Sequence, residues 1–366
     1  MDPAAITKQQ QQQQQQQQRP LLVTSAANSK DNHSNSSINS GNYFINSTPT
    51  RTRSQISPSI QKDHALLRDA KYHQKRLAKI RKKKGYIIDM DGVIYHGTTL
   101  LPGAKELVEF LYRNNKRFLF LTNNSAPTPS ELQQKLLRLG IQVTEDHFFT
   151  AGQATAEFLR TQMPEGGSCY VIGEPGLVYA LYQKGFIMND QNPDYVVLGE
   201  GKSYNYERLT KAVQLIDHGA KLVATNLDVD TLDSQGNKIP SCGAFAACVE
   251  AITKTKTFFC GKPSALMMRY AQRTLGLSTS ETCIIGDRMD TDVAAGISSE
   301  IDAVLVLSGV STMEDLAQFA FRPYVILNGV FEIPDDGGDN SSNGGGNSDN
   351  NNVALGKKSS RQIARL

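Results

Sequence analysis

The sequence lacks several features that would place it in a class of protein at once. Its five cysteines are odd in number and include no C-x-x-C pair, which excludes a disulfide framework and a cysteine zinc motif. No apolar run approaches the ~18 residues of a membrane span, so no transmembrane segment is expected. The start of the chain, MDPAAITKQQ, contains Asp2 and no apolar core, unlike a secretory signal. We therefore predict a cytoplasmic protein with reduced thiols.

Both ends of the chain also have little apolar character. Residues 1–61 contain ten consecutive glutamines (9–18) and a long Asn/Ser-rich stretch, and residues 334–366 are mostly Gly, Asn, Ser and Asp. Because neither segment can bury enough apolar surface to offset its ordering entropy, we predict that both are disordered. The last three residues, Ala364-Arg365-Leu366, are a loose variant of the peroxisomal signal Ser-Lys-Leu, which makes the peroxisome a weaker alternative location.

The basic residues are concentrated before the part that can fold. Residues 1–84 carry 15 Lys/Arg against 4 Asp, and 334–366 carry 4 of each sign, which leaves 20 basic and 28 acidic residues in 85–333. This acidic excess argues against nucleic-acid binding by the folded core. Residues 62–84 are basic and rich in helix formers, so we expect a solvated, partly helical lead-in. A contact with a membrane surface, RNA or the nuclear import machinery is the weaker interpretation.

From residue 85 to 333, apolar runs of strand length alternate with segments of helical spacing. Strands that are apolar throughout, such as those in 86–90, 117–122 and 282–286, indicate a parallel sheet covered by helices on both faces. The predicted fold class is therefore α/β, with a Rossmann-like doubly wound sheet. Polar clusters (DMD, TNN, GKPS and GDRMDTD) follow directly after four of the runs. Because such sheets bind ligands at the carboxyl ends of their strands, we expect four strand ends to converge on one crevice.

Two of the four clusters are rich in carboxylates. Asp89 and Asp91 follow one predicted strand, and Asp287 and Asp292 follow another. Several carboxylates in one crevice predict a hard divalent cation with oxygen ligands, most simply Mg²⁺. A carboxylate can also act as a nucleophile toward phosphorus, and a second carboxyl can act as acid and base.

The other two clusters offer groups that suit a phosphoryl group. Thr122, Asn123 and Asn124 provide hydroxyl and amide donors, and Lys262 provides a compact positive charge. Phosphoryl transfer depends mostly on positioning and charge neutralisation, which such groups supply. Each cluster alone is commonplace, since Asn-Asn and Gly-Asp are frequent turn pairs and Pro263 rules out a Walker loop. The four clusters together, in this order and each at the end of a predicted strand, are a specific signal.

In this order the clusters resemble the four motifs of the haloacid dehalogenase superfamily. DMDGVIYHG, FLTNNS, CGKPS, GDRMDTDVAAG and VLVLSGVST are closest to its NagD-like, 4-nitrophenylphosphatase branch, which includes nucleotide, phosphoglycolate and pyridoxal phosphate phosphatases. The resemblance covers about residues 85–333. It implies a Mg²⁺-dependent phosphatase that hydrolyses small phosphate monoesters through an aspartyl-phosphate intermediate.

The resemblance also implies a role for each matching residue. Asp89 would be the nucleophile and a Mg²⁺ ligand, and Asp91 would be the general acid and base and reach the metal through its backbone carbonyl. Asp287 would complete the metal site, with Asp292 in a supporting position. Thr122, Asn123 and Asn124 would bind the phosphoryl oxygens. Lys262 would stabilise the negative charge on Asp89 and on the phosphate.

Members of this branch carry a cap lobe between the second and third motifs. We place it at 164–256, which leaves 85–163 and 257–333 as the catalytic core. Its turn-rich segment 226–245 would face the active site, although we expect Asp228, Asp230 and Asp233 to be solvated loop residues. The resemblance further suggests a homodimer formed through the cap. It does not select among nucleotide monophosphates, phosphoglycolate, pyridoxal phosphate and other small monoesters.

Three other interpretations use related chemistry. A signalling receiver also has an acceptor Asp, a hydroxyl residue and a lysine, but it is a much shorter domain without a counterpart of Asp91. A P-type ion pump is excluded because the chain has no membrane span. The remaining alternative is an interaction protein with a catalytically weak core that acts through its basic N-terminal arm. The intact motifs argue against it.

Overall fold

The computed structural model describes residues 70–232 and 236–334. The predictions for the tail 1–61, for residues 62–69, for Asp233 and for residues 335–366 with their terminal tripeptide lie outside the described residues. Within the described ranges, no helix is both long enough and apolar enough to cross a membrane.

Helices and strands alternate through most of this part of the chain. The helices are α1 (Ala70–Arg81), α2 (Ala104–Arg113), α3 (Pro129–Arg138), α4 (Ala151–Gln162), α5 (Pro175–Gln183), α6 (Tyr206–Asp217), α7 (Cys242–Thr253), α8 (Ala265–Leu275) and α9 (Ala294–Ser298). The strands are β1 (Gly85–Ile88), β2 (Tyr95–His96), β3 (Thr99–Leu100), β4 (Arg117–Thr122), β5 (Phe148–Thr150), β6 (Gly167–Ile172), β7 (Phe186–Met188), β8 (Tyr195–Leu198), β9 (Lys221–Ala224), β10 (Asp230–Leu232), β11 (Lys238–Pro240), β12 (Phe258–Phe259), β13 (Thr282–Gly286), β14 (Asp302–Val306) and β15 (Val325–Leu327).

Six parallel strands form the first sheet, in the order β15-β14-β13-β1-β4-β5. Its strand β1 is buried along its whole length, with Ile87 aligned with Ile284 of β13 and Leu119 of β4. Side chains alternate along β1, so Ile87 packs into one hydrophobic cluster while Tyr86 and Ile88 pack into another. Both faces of the sheet are therefore covered, and the predicted doubly wound α/β fold is confirmed.

Five parallel strands form a second sheet, in the order β12-β9-β8-β6-β7, from the stretch of chain between α4 and α8. Ile172, Val196 and Leu198 of this sheet pack with residues of α6 and α7 in a hydrophobic cluster of their own. This is the stretch for which a cap over 164–256 is predicted. Its role as a cap stays a prediction.

The second sheet extends past residue 256, where the predicted cap ends. Strand β12 pairs with β9, and the ladder continues as the N–H groups of Cys260 and Gly261 donate to the carbonyls of Ala224 and Thr225. The sequence predicted instead that this run ends a strand of the same sheet as the other three clusters. A short apolar run followed by polar residues has the same pattern in either sheet, so the pattern could not distinguish them.

Helix α1 is packed against the first sheet rather than solvated as expected. Leu77 and Ile80 are buried in the cluster that contains Tyr86 of β1. The Arg81 guanidinium donates hydrogen bonds to the backbone carbonyls of Ile333 (2.9 Å) and Glu332 (3.0 Å). The folded region therefore begins before residue 85, because two apolar side chains of the basic segment find a place in the core.

Candidate active site

Asp89 lies one residue beyond the end of β1. Its N–H donates to the Ile285 carbonyl of β13 (2.8 Å), which keeps the backbone in the sheet at the point where the side chain reaches the carboxyl edge. The chain turns at Gly92, which has a φ of 77° and lies so close to Asp287 that a β-carbon would be 2.4 Å from its carboxylate oxygen. Glycine at this position therefore allows the Asp89 and Asp287 segments to share one site.

Lys262 lies beside Asp89 and is almost fully buried. Its ammonium donates hydrogen bonds to Asp89 Oδ1 (2.5 Å), Asp292 Oδ1 (2.7 Å) and the Leu121 carbonyl (3.0 Å). Burial alone would lower the pKa of Lys262, but Asp292 and Asp89 outweigh this effect and raise the pKa above its usual range. The lysine is therefore charged in the folded protein.

Three carboxylates are grouped near the Lys262 ammonium. One oxygen from each of Asp89, Asp287 and Asp292 lies within 4.8 Å of the others. Burial raises the pKa of Asp287 to about 6, with Asp292 adding to the rise, and burial also raises the pKa of Asp89 well above its usual range, with Lys262 opposing. The group thus holds more negative charge than Lys262 balances. Oxygen donors with surplus negative charge fit a hard divalent cation such as Mg²⁺.

Backbone groups orient the two aspartates of the last predicted cluster. Asp287 Oδ2 accepts the N–H of Val310 (2.7 Å), and Asp292 Oδ2 accepts the N–H of Arg288 (3.2 Å). Asp292 belongs to a π-helical turn, Met289–Val293, a local widening of the helix that is frequent at functional sites. The turn brings Asp292 to Lys262, and its supporting role in a metal site stays a prediction.

Asp91 lies at the rim of the site, and its carboxylate is not one of the three grouped oxygens. Its side chain is 70% exposed, and His96 Nδ1 lies 3.7 Å from its Oδ1. Although water reaches this carboxylate, the surrounding protein raises the pKa of Asp91, and Lys135 and His96 oppose the rise. A reachable carboxyl group with a raised pKa suits proton exchange. Sequence reasoning did not single out His96, although it lies within the stretch DMDGVIYHG, or Lys135, which lies outside the motifs.

Thr122, the last residue of β4, and the two asparagines that follow it have different surroundings. Thr122 is buried and its Oγ1 accepts the N–H of Asn124 (3.1 Å), so the hydroxyl hydrogen can be donated to a ligand. Asn124 is exposed, and its Oδ1 accepts the N–H of Ala126 (2.9 Å). The Asn123 carboxamide instead contacts the Lys262 backbone, with Oδ1 accepting its N–H (2.7 Å) and Nδ2 donating to its carbonyl (3.1 Å). This side chain is thus turned toward the loop that contains Gly261 and Lys262, which we call the lysine loop.

The second sheet contributes polar residues to the same place. Asn226, two residues after β9, donates through Nδ2 to the Asn123 carbonyl (2.9 Å) and to Glu200 Oε1 (2.8 Å). Glu200, two residues after β8, donates its N–H to Ser125 Oγ (2.9 Å). Sequence reasoning missed both residues. The strand-end rule would have found them if it had been applied to the strand runs of the second sheet as well.

Asp228 is not a solvated loop residue, contrary to expectation. Its Oδ2 accepts a hydrogen bond from Asn123 Nδ2 (3.1 Å), and its Oδ1 is buried without a hydrogen-bond partner among the described residues. Burial raises the pKa of Asp228, and Arg288 opposes the rise. The neighbouring Asp230 begins β10 and is therefore not a loop residue, but its side chain is 45% exposed, as expected, and pairs with Lys238 (3.0 Å). The alternating polar pattern of 226–233 could not reveal which carboxylate turns inward.

Comparison with known proteins identifies the family. A profile described as haloacid dehalogenase-like hydrolase matches residues 86–187, and a second one for related hydrolases matches 259–333. Dihydroxyacetone phosphatase of Corynebacterium glutamicum is 40% identical over 250 residues, which cover 68% of this chain and 90% of the relative. The chain belongs to the haloacid dehalogenase superfamily.

Two further relatives define the branch of the superfamily. Ribonucleotide monophosphatase NagD of Escherichia coli K-12 is 38% identical over 251 residues, 68% of this chain and 98% of its own, and its structure superposes with a TM-score of 0.65. The 4-nitrophenylphosphatase of Thermotoga maritima superposes with a TM-score of 0.66 at 34% identity, over 70% of this chain and 97% of its own. The prediction of a haloacid dehalogenase-type enzyme of the NagD-like branch is confirmed, and the relatives named here are phosphatases.

Proposed function

We propose that the chain is a Mg²⁺-dependent phosphatase of small phosphate monoesters that acts through an aspartyl-phosphate on Asp89. The observation that carries this proposal is the buried contact of Lys262 with Asp89 and Asp292, beside Asp287 and at the end of the strand that carries Thr122. Asp89, Asp287 and the backbone carbonyl of Asp91 would hold Mg²⁺. Bound there, Mg²⁺ would neutralise the charge of the phosphoryl group.

The proposed reaction has two steps. A carboxylate oxygen of Asp89 attacks phosphorus, the bond from phosphorus to the leaving-group oxygen breaks, and Asp91 gives its proton to that oxygen. A water molecule then attacks phosphorus, its proton passes to Asp91, and the bond between Asp89 and phosphorus breaks to release phosphate. Thr122 and Asn124 would orient the phosphoryl oxygens, and Lys262 would stabilise the charge that develops.

The leaving group is the part of the substrate that stays undefined. The relatives are named for dihydroxyacetone phosphate, ribonucleotides and 4-nitrophenyl phosphate, which share a phosphate monoester and differ in everything attached to it. In the proposal, the second sheet, which includes most of the predicted segment 164–256 and continues through β12, belongs to a cap that screens leaving groups. The protein is proposed to be cytoplasmic, with two copies that associate through their caps. A panel of phosphate monoesters ranked by kcat/KM would define the substrate class.

Hydrolysis of 4-nitrophenyl phosphate by the full chain tests the reaction itself. We expect turnover with Mg²⁺, loss of turnover on chelation and recovery on adding Mg²⁺ back. Asp89→Asn should lower kcat by at least about 1,000-fold, because an amide cannot act as the nucleophile. Beryllium fluoride, a phosphate mimic, should bind the wild type at Asp89 and should not bind this variant there.

Asp290→Asn is the matched control for this experiment. Asp290 is an exposed aspartate of the same acidic segment, and it pairs with Arg288 (2.9 Å) rather than with the site. It should keep wild-type turnover. Undiminished activity in Asp89→Asn, or a beryllium fluoride adduct at another residue, would remove Asp89 from the role of nucleophile.

A further inference from the structure

Lys262 reaches the site on a loop whose backbone continues from the second sheet, while its ammonium donates to the Leu121 carbonyl of β4 in the first sheet. The loop follows β12 of the second sheet, and the Gly261 N–H donates to the Thr225 carbonyl (2.7 Å) beyond β9. The backbone of Lys262 is linked to the end of β4 by Asn123, whose carboxamide accepts a hydrogen bond from the Lys262 N–H (2.7 Å) and donates one to the Lys262 carbonyl (3.1 Å). The position of the lysine backbone therefore depends on how this carboxamide is oriented.

Gly261 packs so closely against Asn123 that no residue with a β-carbon fits at its position. A β-carbon at Gly261 would lie 2.7 Å from Asn123 Oδ1 and 2.5 Å from the Thr225 carbonyl oxygen. The loop that carries Lys262 is thus closely packed between the end of β4 and the end of β9.

Asp228 fixes the carboxamide from the other side. Its Oδ2 accepts from Asn123 Nδ2 (3.1 Å), the atom that also bonds the Lys262 carbonyl, so the two contacts use both hydrogens of one amide. An amide whose NH₂ group is held by two acceptors cannot flip without losing both bonds. The interactions form a continuous series from Asp228 in the second sheet's loop through Asn123 and the Lys262 backbone to Asp89.

We propose that Asn123 and Asp228 act as a pair that positions Lys262 for phosphoryl transfer. The inference rests on the proposed phosphatase function. It assigns Asn123 to the lysine rather than to the phosphoryl oxygens, and it makes Asp228 the residue through which the loop after β9 acts on the nucleophile. Because the lysine stabilises charge that develops during the reaction, loss of the pair lowers kcat more than it raises KM.

A double-mutant cycle measures whether the two residues act as one unit. We expect Asp228→Ala to lower kcat about 10-fold and Asn123→Ala about 10- to 100-fold, since a misplacement of about 1 Å has effects of this size. The double variant should be no slower than Asn123→Ala alone, because Asp228 acts through Asn123. Asp228→Asn, whose amide oxygen can still accept from Asn123 Nδ2, should recover most of the lost kcat.

Asp230→Ala is the control two residues further along the chain, since Asp230 begins β10, pairs with Lys238 and should keep wild-type kcat. Melting temperatures verify that each variant is folded. Losses that multiply in the double variant would overturn the proposal. The proposal would also be overturned if the loss of kcat caused by Asp228→Ala varied with the leaving group and persisted in the Asn123→Ala variant. Asp228 would then act by contacting the substrate. An inactive wild-type protein would instead contradict the proposed function.

Discussion

Asp287 shows how a single residue links the chemistry of the site to stability. Burial and the neighbouring Asp292 raise its pKa from 3.8 to about 6, so the folded protein binds this proton more tightly than the unfolded chain does. Between about pH 4 and 6 the folded state therefore holds more protons. It follows that the contribution of Asp287 to the stability of the metal-free protein falls as the pH rises through this window, and that this loss is complete above it.

Asp287→Asn should therefore stabilise the metal-free protein at pH 7.5, by about 1–3 kcal/mol, because a neutral amide places no charge in the buried group. The same variant should lose both stabilisation by added Mg²⁺ and turnover. Denaturant unfolding at pH 4.5 and 7.5, with and without Mg²⁺, measures these effects, with the exposed Asp290→Asn as the control. A metal-free variant less stable than the wild type at pH 7.5 would contradict the expected charge effect.

At the scale of single elements, helix α1 lies before the two segments that match the family profiles, residues 86–187 and 259–333. Ile80 is fully buried, and the backbone carbonyl of Ile80 accepts the hydroxyl of Tyr86 (2.7 Å). The helix lies against the β14–β15 side of the first sheet, as shown by the salt bridge of Lys79 with Asp302 (3.3 Å) at the start of β14 and by the hydrogen bond between the His73 ring and the Ile326 carbonyl (3.0 Å) of β15. The site is at the opposite, carboxyl edge of these parallel strands.

Ile80→Ala should lower the free energy of unfolding by about 2–5 kcal/mol, the usual range for removing such a buried side chain, while kcat at 25 °C stays within about twofold. Chemical denaturation and 4-nitrophenyl phosphate turnover would separate the two effects. Lys82→Ala, on the exposed side of the same segment, should change neither. A large fall in kcat in folded Ile80→Ala would show that α1 acts on the site rather than on stability alone.

The elements also show how far a sequence can predict a site. Asp89 and Asp287 follow strands β1 and β13, and Thr122 ends β4 of the same sheet. Their convergence could be predicted because the carboxyl ends of parallel strands lie at one edge of a sheet. Lys262 was predicted to be in the site for a reason that is wrong in detail, since β12 belongs to the second sheet. The partners of Asn123 could not be predicted, because Asp228 lies 105 positions away and only tertiary packing brings it close.

At the scale of the whole molecule, the two sheets meet at a junction that also encloses cysteines. Cys260 immediately precedes the lysine loop, and Cys242 donates through its thiol to the Leu198 carbonyl (3.3 Å) at the end of β8. Burial raises the pKa of Cys260 to about 12 and that of Cys242 to about 11. Both thiols are therefore protonated and shielded for as long as the junction is closed.

Thiol labelling can therefore report on the integrity of the whole molecule. Burial raises the pKa of Cys169 to about 12 and also raises that of Cys283, whereas Cys248 is exposed on α7. We expect a disulfide reagent at pH 8 to label one thiol per native chain rapidly and all five in guanidinium, because the other four react only when the fold opens.

Cys248→Ser should remove the rapid phase and leave four thiols to react after unfolding. Mass spectrometry of the labelled peptides would identify the order of reaction. If Cys260 reacted as fast as Cys248 in the native protein, the junction between the sheets would be open in solution, and the hydrogen bonds from Asn123 to Lys262 could not be permanent. Slow labelling of Cys260 that is accelerated in Asp228→Ala would instead show that the same contact holds the two sheets together and keeps the lysine in place.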